Sequence, residues 1–347
     1  MPTLRRPTNQ LDVLLVDLWS EVLGRRVGID DSLAELGATP DQRARLLVRI
    51  QQDLGHVIPA EEWDPPGTIA ALSAVMVRLG VPAEGDSPLV PPTGPTPRPR
   101  AFVRHADGTR PPLTFLHGDL NGGGFYCLNF AAKLGPSQPF YALGPHGPHG
   151  VPIPDSIEAI AEDQLVTLRA MQPRGPYRLA GHCNGGVVAF EMARRLEARG
   201  EQVAILVMIA TDVRSTATPL AERSWSHRLR YYWSRLRPGR AATPASALPA
   251  PGSPGARAVE ERRRVQAERF AAYAKLLWAY TPGPFEGRVV LLWPRDDEQR
   301  HPGDKTQGWG KVAPRLTVQS IPGDHLSCVT THVSAVVSAL QQALDQG

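Results

Sequence analysis

The segment Gly181-His182-Cys183-Asn184-Gly185 has the spacing of a nucleophile held on a tight turn. Leu179 and Ala180 lead into it, and Val187 and Val188 open an amphipathic stretch behind it. A strand that turns abruptly into a helix lifts its central side chain clear of both elements. Such a turn leaves no room for side chains two positions away, and glycine stands at both 181 and 185. The central residue is a cysteine, whose thiolate is the attacking species and forms more readily than an alkoxide. The positive end of the helix starting at Asn184 is expected to favour the thiolate further. Cys127 and Cys328 complete an odd set of three with no C-x-x-C pair. Neither a disulfide framework nor a zinc site is predicted, and these two read as small buried hydrophobes.

A thiol nucleophile in acyl chemistry needs a base, a group to orient that base, and donors for a developing oxyanion. The base is expected late in the chain, and Ile321-Pro322-Gly323-Asp324-His325 offers His325 ahead of a last helix. His332 and His301 rank below it, and His182 is expected to point away from the sulfur. The orienting acid is assigned to Asp297, after the apolar run Val289 to Trp293, with Asp212 and Asp296 as alternatives. One oxyanion donor is the N–H of Asn184, next to the nucleophile. The other comes from the loop His117-Gly118-Asp119, taken at Asp119, and Gly122, Gly123 and Gly124 let that loop fold closely over the site. The Asp119 carboxylate is also placed to read an amine on an aminoacyl substrate.

The elements that must position these groups alternate. Short apolar strands are predicted over 112–116, 177–180, 203–209 and 289–293, with helices over 187–199 and 333–344. This order implies an α/β protein with a mostly parallel sheet covered on both faces. Residues about 213–285 interrupt it with arginines, a Pro/Ala/Gly-rich stretch and a helix carrying Phe270, Tyr273, Leu277 and Trp278, and they read as a helical lid. Ahead of all this, residues 9–80 are helical. Leu11, Leu14, Leu15, Leu18 and Val22 recur at helical spacing before Gly24, Pro40 opens a second helix, and Thr68 caps a third. Seven prolines between Pro82 and Arg100 make a semi-rigid linker. The division expected is a small helical domain over 1–81, a linker over 82–100 and an α/β domain over 101–347.

The chain of 347 residues is 42% hydrophobic, and no apolar run reaches the roughly 18 residues of a membrane span. No signal-type stretch follows Met1, so a cytoplasmic protein with no membrane partner is expected. The net charge of +4 is local: eleven arginines lie between Arg214 and Arg264. No nucleic-acid motif accompanies them, so no nucleic acid is expected, and a basic patch of this kind suits an acidic protein partner.

Phe115-Leu116-His117-Gly118, Pro139-Phe140-Tyr141-Ala142-Leu143, Gly175-Pro176-Tyr177-Arg178-Leu179-Ala180-Gly181, Val188-Ala189-Phe190-Glu191-Met192-Ala193-Arg194 and Pro322-Gly323-Asp324-His325 together resemble the thioesterase domains of nonribosomal peptide and polyketide synthesis. The resemblance covers roughly 101–347. It implies an α/β-hydrolase fold with a lid, and attack on an acyl or aminoacyl thioester held by a carrier protein's phosphopantetheine. Two departures stand out. The family's usual nucleophile is serine, and many members carry the acid at a position that is Ala210 here. Residues 9–80 resemble a peptidyl or acyl carrier domain through Asp31-Ser32-Leu33-Ala34-Glu35-Leu36-Gly37, but the position of the pantetheine-bearing serine falls on Pro40. The chain is therefore expected to have no cofactor of its own and to take its acyl group from a partner carrier or synthetase module. An acyl-cysteine is itself a thioester, so handing the group to a thiol is close to isoenergetic, and amines attack it well. Relatives with a cysteine nucleophile shuttle aminoacyl groups between carriers or release products by cyclisation or amide formation. The expected function is an acyltransferase of thioesterase type. A hydrolytic thioesterase is the alternative, and a non-catalytic docking protein the third reading.

Overall fold

The run Val289-Val290-Leu291-Leu292-Trp293-Pro294 is apolar throughout, and all six residues are buried, as befits a strand covered on both faces. The computed structural model describes residues 10–25, 27–43, 46–47, 50, 67–78, 101–120, 126–148, 151–213, 254–300 and 303–346. The linker at 82–100, the loop glycines 122–124, His301 and the lid stretch 214–253 lie outside the described residues.

Two N-terminal helices, α1 (Gln10–Leu23) and α2 (Ile69–Arg78), flank further helical residues at 40–43. Leu11, Leu15, Leu18 and Trp19 from α1 share one apolar cluster with Ile69, Leu72 and Met76 from α2. Gly24, at φ 74°, ends α1, and the Thr68 hydroxyl caps α2 by accepting from Ala71 N–H at 3.1 Å. Two reciprocal capping pairs shape the segment between them. Ser32 Oγ donates to Glu35 and accepts from its N–H, while Thr39 Oγ1 accepts from Gln42 N–H and Thr39 N–H donates back to the Gln42 side chain. Pro40 follows Thr39 as the first helical residue.

The rest is built on seven strands. These are β1 (Ala101–Arg104), β2 (Leu113–Leu116), β3 (Phe140–Leu143), β4 (Tyr177–His182), β5 (Val203–Ile209), β6 (Val289–Pro294) and β7 (Leu316–Ile321). Their order is β1-β3-β2-β4-β5-β6-β7; β1 is antiparallel to β3, and the other pairs are parallel. Side chains alternate across the sheet. Leu179, Leu206, Met208, Leu291 and Trp293 face helices α4 (Ile157–Met171) and α5 (Asn184–Ala198). Ala180, Val207, Ile209, Val290 and Leu292 face α3 (Tyr126–Leu134) and α8 (Val333–Asp345). Between them come α6 (Pro254–Ala279), part of the expected lid and packed through Tyr273 on the first face, and the short α7 (Ser327–Thr330). This is an α/β-hydrolase fold preceded by a helical carrier-type region. The predicted strands over 112–116, 177–180, 203–209 and 289–293 are present, and so are the helices predicted over 187–199 and 333–344, the first spanning Asn184–Ala198.

Candidate active site

Parallel strands place their carboxyl ends together, and the segments that follow them form the natural site of such a sheet. His117 to Asp119 follow β2, Cys183 follows β4, Ala210 to Asp212 follow β5, Asp296 and Asp297 follow β6, and His325 follows β7.

Cys183 stands between β4 and α5 at φ 57°, ψ −128°, outside the regions a side chain ordinarily adopts. Such a conformation costs about 1–3 kcal/mol and persists only where its surroundings enforce it. Here Cys183 N–H donates to Ile209 O at 3.0 Å, Gly186 N–H to Cys183 O at 3.1 Å, and Thr211 Oγ1 to Cys183 O at 3.2 Å. The flanking glycines have the expected reason. A Cβ on Gly181 would lie 2.6 Å from the Gly185 backbone, and one on Gly185 would strike Leu116 O. The thiol is half-buried, at the N-terminus of a 15-residue helix whose dipole favours its anion. Asn184, adjacent and buried, presents its N–H in the first helical turn, where no intrahelical acceptor exists.

The loop after β2 packs directly on this turn: a Cβ on Gly118 would lie 2.9 Å from Cys183 Cβ. His117 N–H donates to Leu143 O, and Gly118 N–H to the Tyr126 hydroxyl at 3.1 Å. Burial brings the His117 imidazole down to about 4 against the pull of Asp119, so it is neutral at pH 7. Asp119 in this loop is half-buried. Arg269 of α6 donates to Leu120 O at 2.6 Å and is drawn electrostatically to Asp119.

His325 is half-buried on a turn fixed by Asp324, whose Oδ1 accepts from Leu326 N–H, Ser327 N–H and Ser327 Oγ–H at 2.8–3.0 Å. Asp296 N–H donates to Gly323 O at 3.1 Å, which joins the short 3-10 turn after β6 to the histidine turn. The three aspartates differ in burial: Asp297 is 0% exposed, Asp212 half-buried and Asp296 exposed. Cys328 lies between the parties. Its S–H donates to His325 O at 3.4 Å, and its thiol is pushed up by burial, by the charges of Asp297 and Asp324, and by Cys183. Cys127 is likewise buried, with its thiol raised chiefly by burial. His332 packs behind the turn at Gly323.

Three contributors were not legible in sequence. His182 is buried: Nδ1 lies 3.1 Å from the Tyr126 hydroxyl and Nε2 3.1 Å from His325 O. Tyr126 and Thr211 complete the set. Each contact joins residues at least 28 positions apart, and no local spacing announces it. Among the described residues no group of acidic, histidine and cysteine side chains is arranged to hold a metal, and no helix is long and apolar enough to cross a membrane.

Comparison with known proteins matches residues 120–344 to the thioesterase domain model and residues 13–75 to the phosphopantetheine attachment site model. The dimodular nonribosomal peptide synthase of Bacillus subtilis is 31% identical over 210 residues, covering 60% of this chain and 8% of that protein. Malpibaldin synthetase of Mortierella alpina is 29% identical over 205 residues, covering 58% and 4%. The chain spans only 3–8% of the length of such curated relatives. In fold it is similar to the NocB thioesterase domain of the nocardicin cluster, with a TM-score of 0.52, 24% identity, and coverage of 71% of this chain and 98% of that one. It is also similar to a holo four-domain nonribosomal peptide synthetase, with a TM-score of 0.58, 21% identity, and coverage of 99% and 26%. A carrier-type domain thus lies on the chain itself, but its residues do not fit an attached pantetheine: Pro40 has no hydroxyl, and those of Ser32 and Thr39 are committed to capping. With the thioesterase model matching more than half of its length, the chain belongs to the thioesterase domain family.

Proposed function

We propose that this chain is an acyl or aminoacyl transferase of thioesterase type in nonribosomal peptide or polyketide biosynthesis, with Cys183 as nucleophile, His325 as base and Asp297 as orienting acid. The observation that carries the reading is a cysteine, not a serine, on the strained turn between β4 and α5. The donor is the phosphopantetheine thioester of a partner carrier, since this chain's own carrier-type domain lacks the attachment serine.

His325 removes the thiol proton, and the thiolate attacks the thioester carbonyl carbon. The N–H groups of Asn184 and Asp119 receive the oxyanion. The bond to the pantetheine sulfur breaks, and the proton held by His325 passes to that leaving thiolate. Acyl-Cys183 is again a thioester, so a thiol or amine acceptor, an intramolecular one included, repeats the sequence in reverse. Buried Asp297 is the carboxylate that holds the imidazole of His325 in the required tautomer. The eleven arginines between Arg214 and Arg264 suit the acidic face of a carrier.

Intact mass spectrometry after mixing the protein with an acyl-loaded carrier tests the reading. An adduct on Cys183 that persists until a thiol or amine is added is expected. Prompt free acid would instead make the chain a hydrolytic thioesterase, and no adduct at all would leave it a docking protein.

A further inference from the structure

His182 precedes the nucleophile, and both of its ring nitrogens are engaged by groups that belong to other parts of the site. On one side Gly118 N–H donates to the Tyr126 hydroxyl at 3.1 Å, and that hydroxyl lies 3.1 Å from His182 Nδ1. On the other, Nε2 lies 3.1 Å from the backbone carbonyl of His325. The protons can be assigned. A carbonyl oxygen only accepts, so Nε2 must carry the hydrogen. Nδ1 of the neutral ring is then an acceptor, and the Tyr126 O–H donates to it. The tyrosine oxygen keeps a lone pair for Gly118 N–H. Every bond runs in one direction, from Gly118 N–H through Tyr126 O–H and His182 Nε2–H to His325 O. The His182 and His325 rings also lie beside each other, tilted, with centroids 5.0 Å apart and planes inclined by 34°. A second donor, Cys328 S–H, holds the same carbonyl at 3.4 Å.

We propose that His182 is a positioning residue: through this directed chain it fixes the base-bearing turn at His325 relative to Cys183 and ties it to the oxyanion loop at Gly118. The proposal rests on the acyl-transfer reading of Cys183 and His325. No bond of that reaction is made or broken at His182. The ring acts by setting where the His325 imidazole stands, and a misplacement of about 1 Å in such a site slows the reaction on the order of 100-fold.

The test uses the full chain and two readouts at Cys183: single-turnover acylation by an acyl-loaded carrier, and alkylation by iodoacetamide against pH, located by peptide mass spectrometry. His182→Phe keeps the ring and removes both hydrogen bonds. It is expected to slow acylation about 100-fold with the half-saturating carrier concentration unchanged, and to move thiol alkylation to higher pH. His182→Gln, whose amide N–H still reaches His325 O, should recover about tenfold. Tyr126→Phe should slow acylation about tenfold, and the double variant should be no slower than His182→Phe alone, because the residues act as one chain. Acylation by His182→Phe within threefold of the parent, or single effects that multiply, would overturn the proposal. If His182→Phe melts at the assay temperature, His182→Gln and Tyr126→Phe decide it by the same criteria. If the parent protein itself acquires no acyl adduct on Cys183, the functional reading fails, and the alkylation curves still decide whether His182 positions the base.

Discussion

Three aspartates lie beyond the ends of β5 and β6, and burial separates them. Asp297 is fully enclosed, and its charge acts on Cys328, which itself holds His325 O. Asp296 points into solvent, and Asp212 is half-buried. An acid that orients an imidazole works best where water cannot compete for it. Asp297→Asn is therefore expected to slow acylation of Cys183 about 1,000-fold, with Asp212→Asn and Asp296→Asn within about threefold of the parent. Single-turnover rates check this, and a large loss in Asp212→Asn instead would transfer the role. Ala210 supplies a second arm. It sits at φ 48°, a conformation that aspartate tolerates better than alanine, in the position where the family resemblance puts the acid. Adding Ala210→Asp to Asp297→Asn should recover part of the rate. Cys183 and Asp297 could be singled out in sequence because each follows an apolar strand, and His325 because it stands on a turn ahead of the last helix. The bond from His182 to His325 could not, since it spans 143 positions and depends on how β4 and β7 are laid into one sheet.

The element that carries the turn is α5, and one buried residue anchors it. Glu191 is 0% exposed and receives both Arg194 (2.9 and 3.0 Å) and Arg195 (2.6 Å) from its own helix. Tyr280, just beyond α6, donates to it at 2.9 Å, which links α5 to the end of α6. Burial alone would raise the Glu191 carboxyl, but the hydrogen bonds from Arg194, Tyr280 and Arg195 hold it below its ordinary 4.5. A carboxyl lowered by folding stabilises the fold above its unfolded value, and that contribution fades as pH falls through the folded one. Glu191→Gln should therefore lower stability by about 3 kcal/mol at pH 7, with the gap closing below about pH 4. Denaturant unfolding at both pH values measures it, and a gap independent of pH would assign the loss to packing instead. The helix itself was legible from its apolar period, as was β6 from its unbroken hydrophobic run. Strand β1 was not: four residues after a proline-rich stretch gain their identity only by pairing antiparallel with β3, some 40 positions later.

At the scale of the whole molecule, a carrier-type domain and a thioesterase domain share one chain, and the first carries Pro40 where the resemblance puts the pantetheine-bearing serine. The N-terminal region keeps its packing, with Trp19, Leu15, Leu72 and Met76 in one cluster, and it keeps the Thr39–Gln42 cap that begins its central helix. Proline stands at the position that the carrier resemblance gives to the pantetheine-bearing serine. Proline suits the first turn of a helix, where its missing N–H has no partner to lose, so Pro40 preserves the fold while removing the hydroxyl. The neighbouring hydroxyls do not substitute: Ser32 is buried and paired with Glu35, and Thr39 closes the helix start. On the proposed reading, a carrier-type domain without the attachment hydroxyl leaves the acyl group to arrive from a partner carrier. Incubation with coenzyme A and a promiscuous phosphopantetheinyl transferase should give no pantetheine adduct on the parent chain by intact mass. Pro40→Ser restores the hydroxyl at the first helical residue, and serine is tolerated there at a cost of well under 1 kcal/mol, so the variant should fold and acquire a single adduct at position 40. An adduct on the parent would return the donor thiol to this chain and make the transfer intramolecular. An unmodified Pro40→Ser would place the loss of recognition in the surrounding helix surface as well as in the missing hydroxyl.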